Sequence, residues 1–242
     1  MNGTVLLDPA ACRTRQQRLC RWLETTGVDL ALFAAPEQIE YFTGHRWDFR
    51  FSPLAALRAD GLMLLICPDK LVEAEAVDDL RIYEAKWRST LRLDQQEASA
   101  AVLADWLAAG PRPRRVAVEF SSCPPHVSRC CGDSQLVDLE PEVLRLRRRK
   151  DPDELALLKR AITATGQMYE RARKIIRPGL SELEMFSTLQ AVAVESCGEM
   201  LTGTGNDYAC GVRGGPPREY HCEAGELYIL DLGPAYRGYF AD

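Results

Sequence analysis

The sequence lacks any hydrophobic run long enough to cross a membrane. Its most apolar short segment, residues 61–68, is far shorter than the ~20 residues that a membrane-spanning helix needs. Residues 1–11 also lack the basic segment followed by an apolar core that marks a secretory signal peptide. We therefore expect a soluble, cytoplasmic protein.

The cysteines lack the spacing of a metal site or of a disulfide framework. The chain has nine of them, an odd number, and they are scattered without any pair separated by two residues. Cys130 and Cys131 are adjacent. This pattern excludes a zinc ribbon and predicts free thiols in a reducing compartment.

The chain has no excess of positive charge. The formal net charge is -5, which argues against broad nucleic-acid binding because that function needs a basic field. The one basic cluster, within residues 144–150, could be a nucleic-acid or targeting patch. In an acidic chain we favour a solvated helix end and linker.

The first part of the chain alternates strand and helix signals. Such alternation predicts an α/β layer domain, which we place at residues 1–145. The predicted helices are residues 13–26, 36–42 and 95–109, and the predicted strands are residues 29–33, 61–67, 81–84, 116–120 and 135–139.

Long helices follow, in a second region that we place at residues 146–242. Asp151, Pro152 and Glu154 form a helix-start signal with a capping box, and Ser181 with Glu184 forms another. The first helix should pack through Leu155, Leu158, Ile162, Tyr169, Ala172 and Ile176, and the second through Leu183, Phe186, Leu189 and Ala193.

The segment that carries the chemistry is residues 225–242. Asp231 lies in an apolar strand between Leu230 and Leu232, where a carboxylate is costly unless it is paired or bound to a cation. If a hairpin turned between Tyr236 and Arg237, Asp231 would face Asp242 across the strands, with the Cβ atoms about 4.5–5.5 Å apart. Two such carboxylates repel each other unless they share a cation. The spacing is compatible with a dinuclear metal site, and equally with Asp242 as a solvated strand-end residue.

Several motifs resemble the creatinase / Xaa-Pro aminopeptidase family of "pita-bread" metallopeptidases. Asp231-Leu232-Gly233 and Gly238-Tyr239-Phe240-Ala241-Asp242 resemble its metal-binding hairpin. Other motifs of the family occur upstream, in the same order as in the family. Residues 28–32 and 39–44 resemble its N-terminal domain, residues 149–155 its linker and helix start, and residues 176–182 its Pro-Gly turn. The resemblance implies a creatinase-type α/β domain followed by the first half of an α+β pita-bread domain.

The resemblance also implies a chemistry. Family peptidases use two divalent ions, often Mn²⁺, held by two Asp, one His and two Glu. Asp231 would bind one metal and Asp242 would bridge both, while the other ligands would lie beyond residue 242. Two carboxylates alone leave the ions under-coordinated, so we expect these 242 residues alone to be inactive. The implied reaction is hydrolysis of an N-terminal peptide bond in a peptide substrate, with Xaa-Pro favoured.

The chain departs from the family at the substrate-binding histidine. Residues 211–217, where the family carries it, contain none. His221 could replace it through a shifted loop or could be a surface residue, and Arg213 could instead bind a substrate carboxylate. Gly203-Thr204-Gly205 and Gly214-Gly215 lack the ending of a phosphate-binding loop.

Two other functions stay open. One is a metal-free C–N hydrolase like creatinase, and the other is a non-catalytic pita-bread binding protein. The family is often dimeric, and the sequence leaves a homodimer open.

Overall fold

A computed structural model describes residues 4–68, 74–85, 87–88, 91–92 and 94–241. Its helices are α1 (Pro9–Thr26), α2 (Pro36–Thr43), α3 (Gln95–Ala109), α4 (Pro125–Cys130), α5 (Glu140–Arg147), α6 (Pro152–Ile175) and α7 (Glu182–Cys197). Its strands are β1 (Leu30–Phe33), β2 (Leu54–Arg58), β3 (Met63–Pro68), β4 (Asp79–Tyr83), β5 (Trp87–Arg88), β6 (Leu91–Arg92), β7 (Arg115–Val118), β8 (Gln135–Asp138), β9 (Asp207–Cys210), β10 (Tyr228–Asp231), β11 (Ala235–Tyr236) and β12 (Tyr239–Phe240).

The chain divides into two compact units. The first is Leu7–Lys150, and the second contains the described residues from Asp151 onwards together with residues 4–6. The division falls after Lys150 rather than after residue 145, because α5 continues through Arg147. Within the described ranges, no helix combines the length and the apolar character that crossing a membrane requires.

A six-stranded sheet forms the centre of the first unit. The strand order is β4-β3-β2-β1-β7-β8; β1 is antiparallel to β2 and parallel to β7. The central strands β3, β2, β1 and β7 are largely buried on both faces, so their alternate residues enter two separate cores. The edge strands β4 and β8 are more exposed. One core is covered by α1, α2 and α5, and the other by α3 and α4. This is the predicted α/β layer architecture, with β2, α4 and α5 added.

A buried carboxylate completes the start of α2. The residue before this helix, Ala35, has no side chain that could cap it. Glu119, which follows β7, accepts hydrogen bonds from the amides of Ala34 (2.7 Å) and Ala35 (3.0 Å) through Oε2. Burial raises the pKa of Glu119 above its ordinary value, although these two amide hydrogen bonds act to lower it. Glu119 thus takes the place of a local N-cap.

The basic cluster at the end of the first unit is occupied by contacts within that unit. Arg145 pairs with Glu142 at 2.6 Å. Arg147 lies 5.2 Å from the ring centroid of Tyr41 and donates to Gln38 Oε1 at 2.9 Å. These contacts support a structural helix end rather than a nucleic-acid patch.

The second unit begins with two capped helices, α6 and α7. The Asp151–Glu154 capping box and the hydrogen bond from the Glu184 amide to Ser181 Oγ (3.0 Å) are both present, as predicted. Helix α7 ends at Gly198 in the left-handed conformation (φ 74°). Glu154 is fully buried and also accepts a hydrogen bond from the hydroxyl of Tyr239 (3.1 Å). The start of α6 is therefore tied to β12.

The predicted packing face of α6 was largely wrong, whereas that of α7 was wrong only at Leu183. Helix α6 packs through Leu157, Ala161, Ala164, Met168 and Ala172, while Leu155, Ile162, Tyr169 and Ile176 are exposed. Helix α7 buries Met185, Leu189, Ala193 and Cys197, and Leu183 is exposed. The reason is that α6 carries apolar residues on two neighbouring faces, and contacts with α7 select the one with smaller side chains. We call Leu155, Ile162 and Tyr169 the exposed α6 stripe.

The exposed α6 stripe predicts self-association of the 242-residue chain, because association would bury apolar side chains worth about 1.5–3 kcal/mol each. Replacing Ile162 by glutamate should weaken association at least about tenfold. Thr163→Glu, which adds the same charge at a neighbouring exposed position, should leave it unchanged. Light scattering across a concentration series measures both. A parent chain that stays monomeric at high concentration contradicts the prediction.

Candidate metal and substrate site

Asp231 ends β10 with its side chain exposed. The other residues of β10 are only partly buried. The expectation of a carboxylate embedded in an apolar strand is therefore wrong for the described residues: the strand ends at Asp231, and solvent reaches the side chain. The carboxylate is available to a ligand, but burial does not force it to have one.

The hairpin after Asp231 has a different register from the predicted one. In β11 and β12, Ala235 pairs with Phe240 and Tyr236 with Tyr239, so the turn is centred between Arg237 and Gly238. Both turn residues have positive φ, 50° and 75°, as in a type I′ turn. The predicted turn between Tyr236 and Arg237 was wrong by one residue, and with it the register that would set Asp231 against Asp242. Asp242 itself lies outside the described residues.

A different carboxylate faces Asp231. Strand β9 runs antiparallel to β10, and Asp207 is the direct partner of Asp231. Direct partners project to the same face of a sheet with Cβ atoms about 4.5–5.5 Å apart. The Oδ1 atom of Asp207 also accepts the amide of Gly215 at 2.7 Å. Asp207 was missed in the sequence because nothing local reveals which strand pairs with β10.

The glycines around this pair have a steric role. A Cβ built on Gly205 would overlap the carbonyl oxygen of Asp231 and lie 2.5 Å from the amide nitrogen of Gly233. A Cβ on Gly214, which has φ 109°, would lie 2.8 Å from Asp207 Oδ2. Gly205 thus lets its segment approach the main chain of Asp231, and Gly214 lets the loop approach the carboxylate of Asp207.

Arg213 lies in the β9–β10 loop, residues 211–227. Its side chain is exposed and forms no hydrogen bond or ion pair with the rest of the described chain. Two residues later, Gly215 bonds to Asp207, and its carbonyl accepts the amide of Tyr208. The loop therefore folds back along β9 and holds Gly215, two residues after Arg213, against Asp207 and Tyr208.

His221 is attached to a different element. It forms an antiparallel bridge with Ser181 at the start of α7, and its side chain is exposed. The amide of its neighbour Cys222 donates to the carbonyl of Leu180 at 3.0 Å. None of its backbone contacts is with β9 or β10, so the structure gives no link between His221 and Asp231.

An ion pair between the buried Glu182 and the exposed Arg218 anchors the same loop and was also missed in the sequence. Glu182 is fully buried, and its carboxylate accepts hydrogen bonds from Arg218 Nη2 (2.6 Å) and Nε (3.0 Å). It also accepts the amides of Arg218 (2.7 Å) and Cys210 (2.8 Å). Burial raises the pKa of Glu182, but these hydrogen bonds outweigh it, so the pKa lies below its ordinary value.

The donor set fits a divalent cation only in part. Carboxylate oxygens suit Mg²⁺, Ca²⁺ and Mn²⁺, and the structure brings two of them together. Across the described ranges, however, no group of three or more His, Cys, Asp or Glu side chains could hold a metal ion. Asp207 and Asp231 alone would leave such an ion mostly hydrated.

Comparison with known families covers nearly the whole chain. The Creatinase/Prolidase N-terminal domain family matches residues 15–149, and Metallopeptidase family M24 matches residues 156–242. A curated relative, the uncharacterized peptidase YqhT of Bacillus subtilis (strain 168), is 27% identical over 119 residues. That alignment covers 48% of this chain and 33% of the relative.

Solved structures share the fold. The X-Pro aminopeptidase of Thermotoga maritima MSB8 superposes with a TM-score of 0.70 at 20% identity, covering 94% of this chain and 63% of that one. The Xaa-Pro dipeptidase of Bacillus anthracis gives 0.74 at 18% identity, with 96% and 63% covered. The prolidase of Pyrococcus furiosus gives 0.69 at 16% identity, with 90% and 61% covered.

The chain thus spans less than two thirds of the length of these relatives. Its predicted fold, a creatinase-type α/β domain followed by part of an α+β pita-bread domain, is confirmed. The chain belongs to the Creatinase/Prolidase N-terminal domain family, and residues 156–242 match Metallopeptidase family M24.

Proposed function

We propose that the complete protein is a metal-dependent peptidase that hydrolyses an N-terminal peptide bond, with the Xaa-Pro bond favoured. The observation that carries this proposal is the exposed carboxylate of Asp231 at the end of β10, within the region that matches family M24. The relatives described as X-Pro aminopeptidase, Xaa-Pro dipeptidase and prolidase support the choice of bond.

The proposed cofactor is a pair of divalent ions, with Mn²⁺ favoured. Asp231 and Asp242 would supply the first two ligands, and one His and two Glu of the complete protein the others. When bound, the ions would polarise the scissile carbonyl and lower the pKa of a water molecule. The described residues contribute the exposed carboxylate of Asp231 and its facing partner, Asp207.

Arg213 is the proposed contact for the substrate's carboxylate. Its side chain is exposed and unpaired within the described ranges, and Gly215, two residues later, is bonded to the start of β9. A guanidinium binds a carboxylate in bidentate fashion, which suits a dipeptide with a free C-terminus. His221 is the weaker candidate for proton transfer, because its backbone contacts are with α7.

The alternative of a metal-free, creatinase-like C–N hydrolase is less well supported. Two facing carboxylates, Asp207 and Asp231, repel each other without a cation between them or nearby. The non-catalytic alternative rests on the absence of histidine from residues 211–217. Arg213 offers another way to bind the substrate there.

We propose a cytoplasmic location because of the state of the cysteines. All nine are free, and burial raises the pKa of several of them, to about 11 for Cys67 and about 12 for Cys131. Thiols with raised pKa react slowly, as suits structural cysteines in a reducing cytoplasm. A homodimer is an open part of the proposal, and the net charge of -5 argues against a nucleic-acid partner.

The test is hydrolysis of alanyl-proline by the complete protein loaded with Mn²⁺. We expect release of alanine at a rate that falls at least about a hundredfold when a chelator removes the metal. Alanyl-alanine serves as the control for the Xaa-Pro preference, and creatine for the metal-free alternative. A protein with bound Mn²⁺ that cleaves neither dipeptide contradicts the proposed function.

A further inference from the structure

The β9–β10 loop is too long to be placed by its ends alone. It runs from residue 211 to residue 227, beyond the ~12–15 residues above which a loop without secondary structure usually serves a function. Its attachments to the rest of the second unit include three described above. Gly215 bonds to Asp207, Arg218 bonds to Glu182, and the amide of Cys222 donates to the carbonyl of Leu180 at 3.0 Å.

The attachment at Arg218 is the strongest of the three. Every hydrogen bond that Glu182 accepts comes from this loop or from the last residue of β9, and both carboxylate oxygens are used. Arg218 Nη2 also donates to the carbonyl of Cys210 at 2.9 Å. Charge-assisted, bidentate bonds of this kind fix orientation as well as distance. A buried carboxylate cannot release its partner without being left uncompensated.

We call the Glu182–Arg218 pair, with its bond to Cys210, the clamp. The clamp closes residues 211–217 into a short loop. Arg218 binds back to Cys210, the residue just before this segment, so both ends of the segment are held at the same point. Arg213 is its only charged residue. The clamp therefore determines where the Arg213 guanidinium can lie relative to Asp207 and Asp231.

We infer that Glu182 and Arg218 are positioning residues, which hold residues 211–217 so that Arg213 meets the carboxylate of the substrate. This inference rests on the proposed function and deepens it. It selects substrates with a free C-terminal carboxylate over those in which that group is blocked. Neither Glu182 nor Arg218 touches the substrate, since Arg218 is engaged by Glu182 and Cys210.

The test compares Glu182→Gln, Arg218→Met and Arg218→Lys in the complete protein. Hydrogen exchange of the amides of residues 211–215 should become about tenfold faster in Glu182→Gln and Arg218→Met, while the amides of α6 keep their rates. Arg218→Lys keeps the positive charge but loses the bidentate guanidinium. Its exchange rates should lie between those of these variants and the parent. Arg173→Met, which removes the exposed pair with Glu170 on α6, is the control and should change neither set.

Kinetics separate positioning from general loosening. In Glu182→Gln the KM for alanyl-proline should rise about tenfold, with kcat within twofold. The KM for alanyl-prolinamide, which lacks the carboxylate, should stay within twofold. Equal rises in KM for the two substrates, or unchanged exchange of the amides of residues 211–215, overturn the inference. If Glu182→Gln does not fold, Arg218→Lys carries the same comparison. A parent that cleaves neither substrate contradicts the proposed function, and the exchange rates still decide whether the clamp exists.

Discussion

Replacing Gly205 by alanine is expected to cost at least about 3 kcal/mol of folding free energy, at the upper end of overpacking substitutions. A Cβ at this position would overlap the carbonyl oxygen of Asp231 and press on the amide of Gly233. Both contacts are with backbone atoms, which cannot rotate away as a flexible side chain could. The segment from Asp231 to Gly233 would have to move, and the pairing of β10 with β9 would weaken. Urea denaturation of variant and parent measures the loss.

Gly166→Ala is the matched control for this prediction. Gly166 lies within α6, and a Cβ built there meets nothing within 4 Å. Alanine should stabilise the helix by about 0.5–1 kcal/mol. If Gly205→Ala were as stable as the parent, the close approach of residue 205 to the Asp231 segment would be refuted.

Replacing Asp231 by asparagine is expected to lower kcat/KM for alanyl-proline about a thousandfold in the complete protein. A metal ligand supports several kcal/mol of transition-state stabilisation, and each 1.36 kcal/mol is a factor of ten in rate. Because Asp231 is exposed, the free energy of unfolding should change by less than about 0.5 kcal/mol. Steady-state kinetics and metal analysis of the purified variant provide the two readouts.

Asp207→Asn is the comparison that makes this result specific. Asparagine keeps an oxygen that can accept the amide of Gly215, so the loop attachment should survive. We expect a loss of less than about tenfold, because Asp207 faces Asp231 without being one of the proposed ligands. Equal losses in the two variants would show that the pair, rather than Asp231 alone, carries the function.

The sequence predicts well what depends on near neighbours. The ends of α1, α2 and α7 lie at Gly27, Gly44 and Gly198, each in the left-handed conformation that favours glycine. The capping box at Asp151 and the N-cap bond at Ser181 are likewise local. Such signals depend on a few consecutive residues, and the structure contains them.

The errors concern interactions between distant parts of the chain. Helix α6 has two apolar faces, and only its contact with α7 determines which one is buried. The partner of Asp231 is Asp207, and no sequence pattern connects the two. The turn at Arg237 and Gly238 is different, because a glycine in the second position of a two-residue turn is a known type I′ signal, so a better prediction was available. The Arg237–Glu199 ion pair at 2.8 Å, which holds a non-glycine residue at φ 50°, was not predictable.

The cap that Glu119 provides for α2 has a consequence for the order of folding. The amides of Ala34 and Ala35 and the carboxylate that receives them are separated by 85 and 84 residues along the chain. A local N-cap forms as soon as its helix does, whereas this one requires β7 to have joined β1. Closing so long a loop costs entropy before the contact repays it. Helix α2 therefore cannot reach its full stability early, and its first turn becomes a reporter of the moment when the two halves of the sheet join.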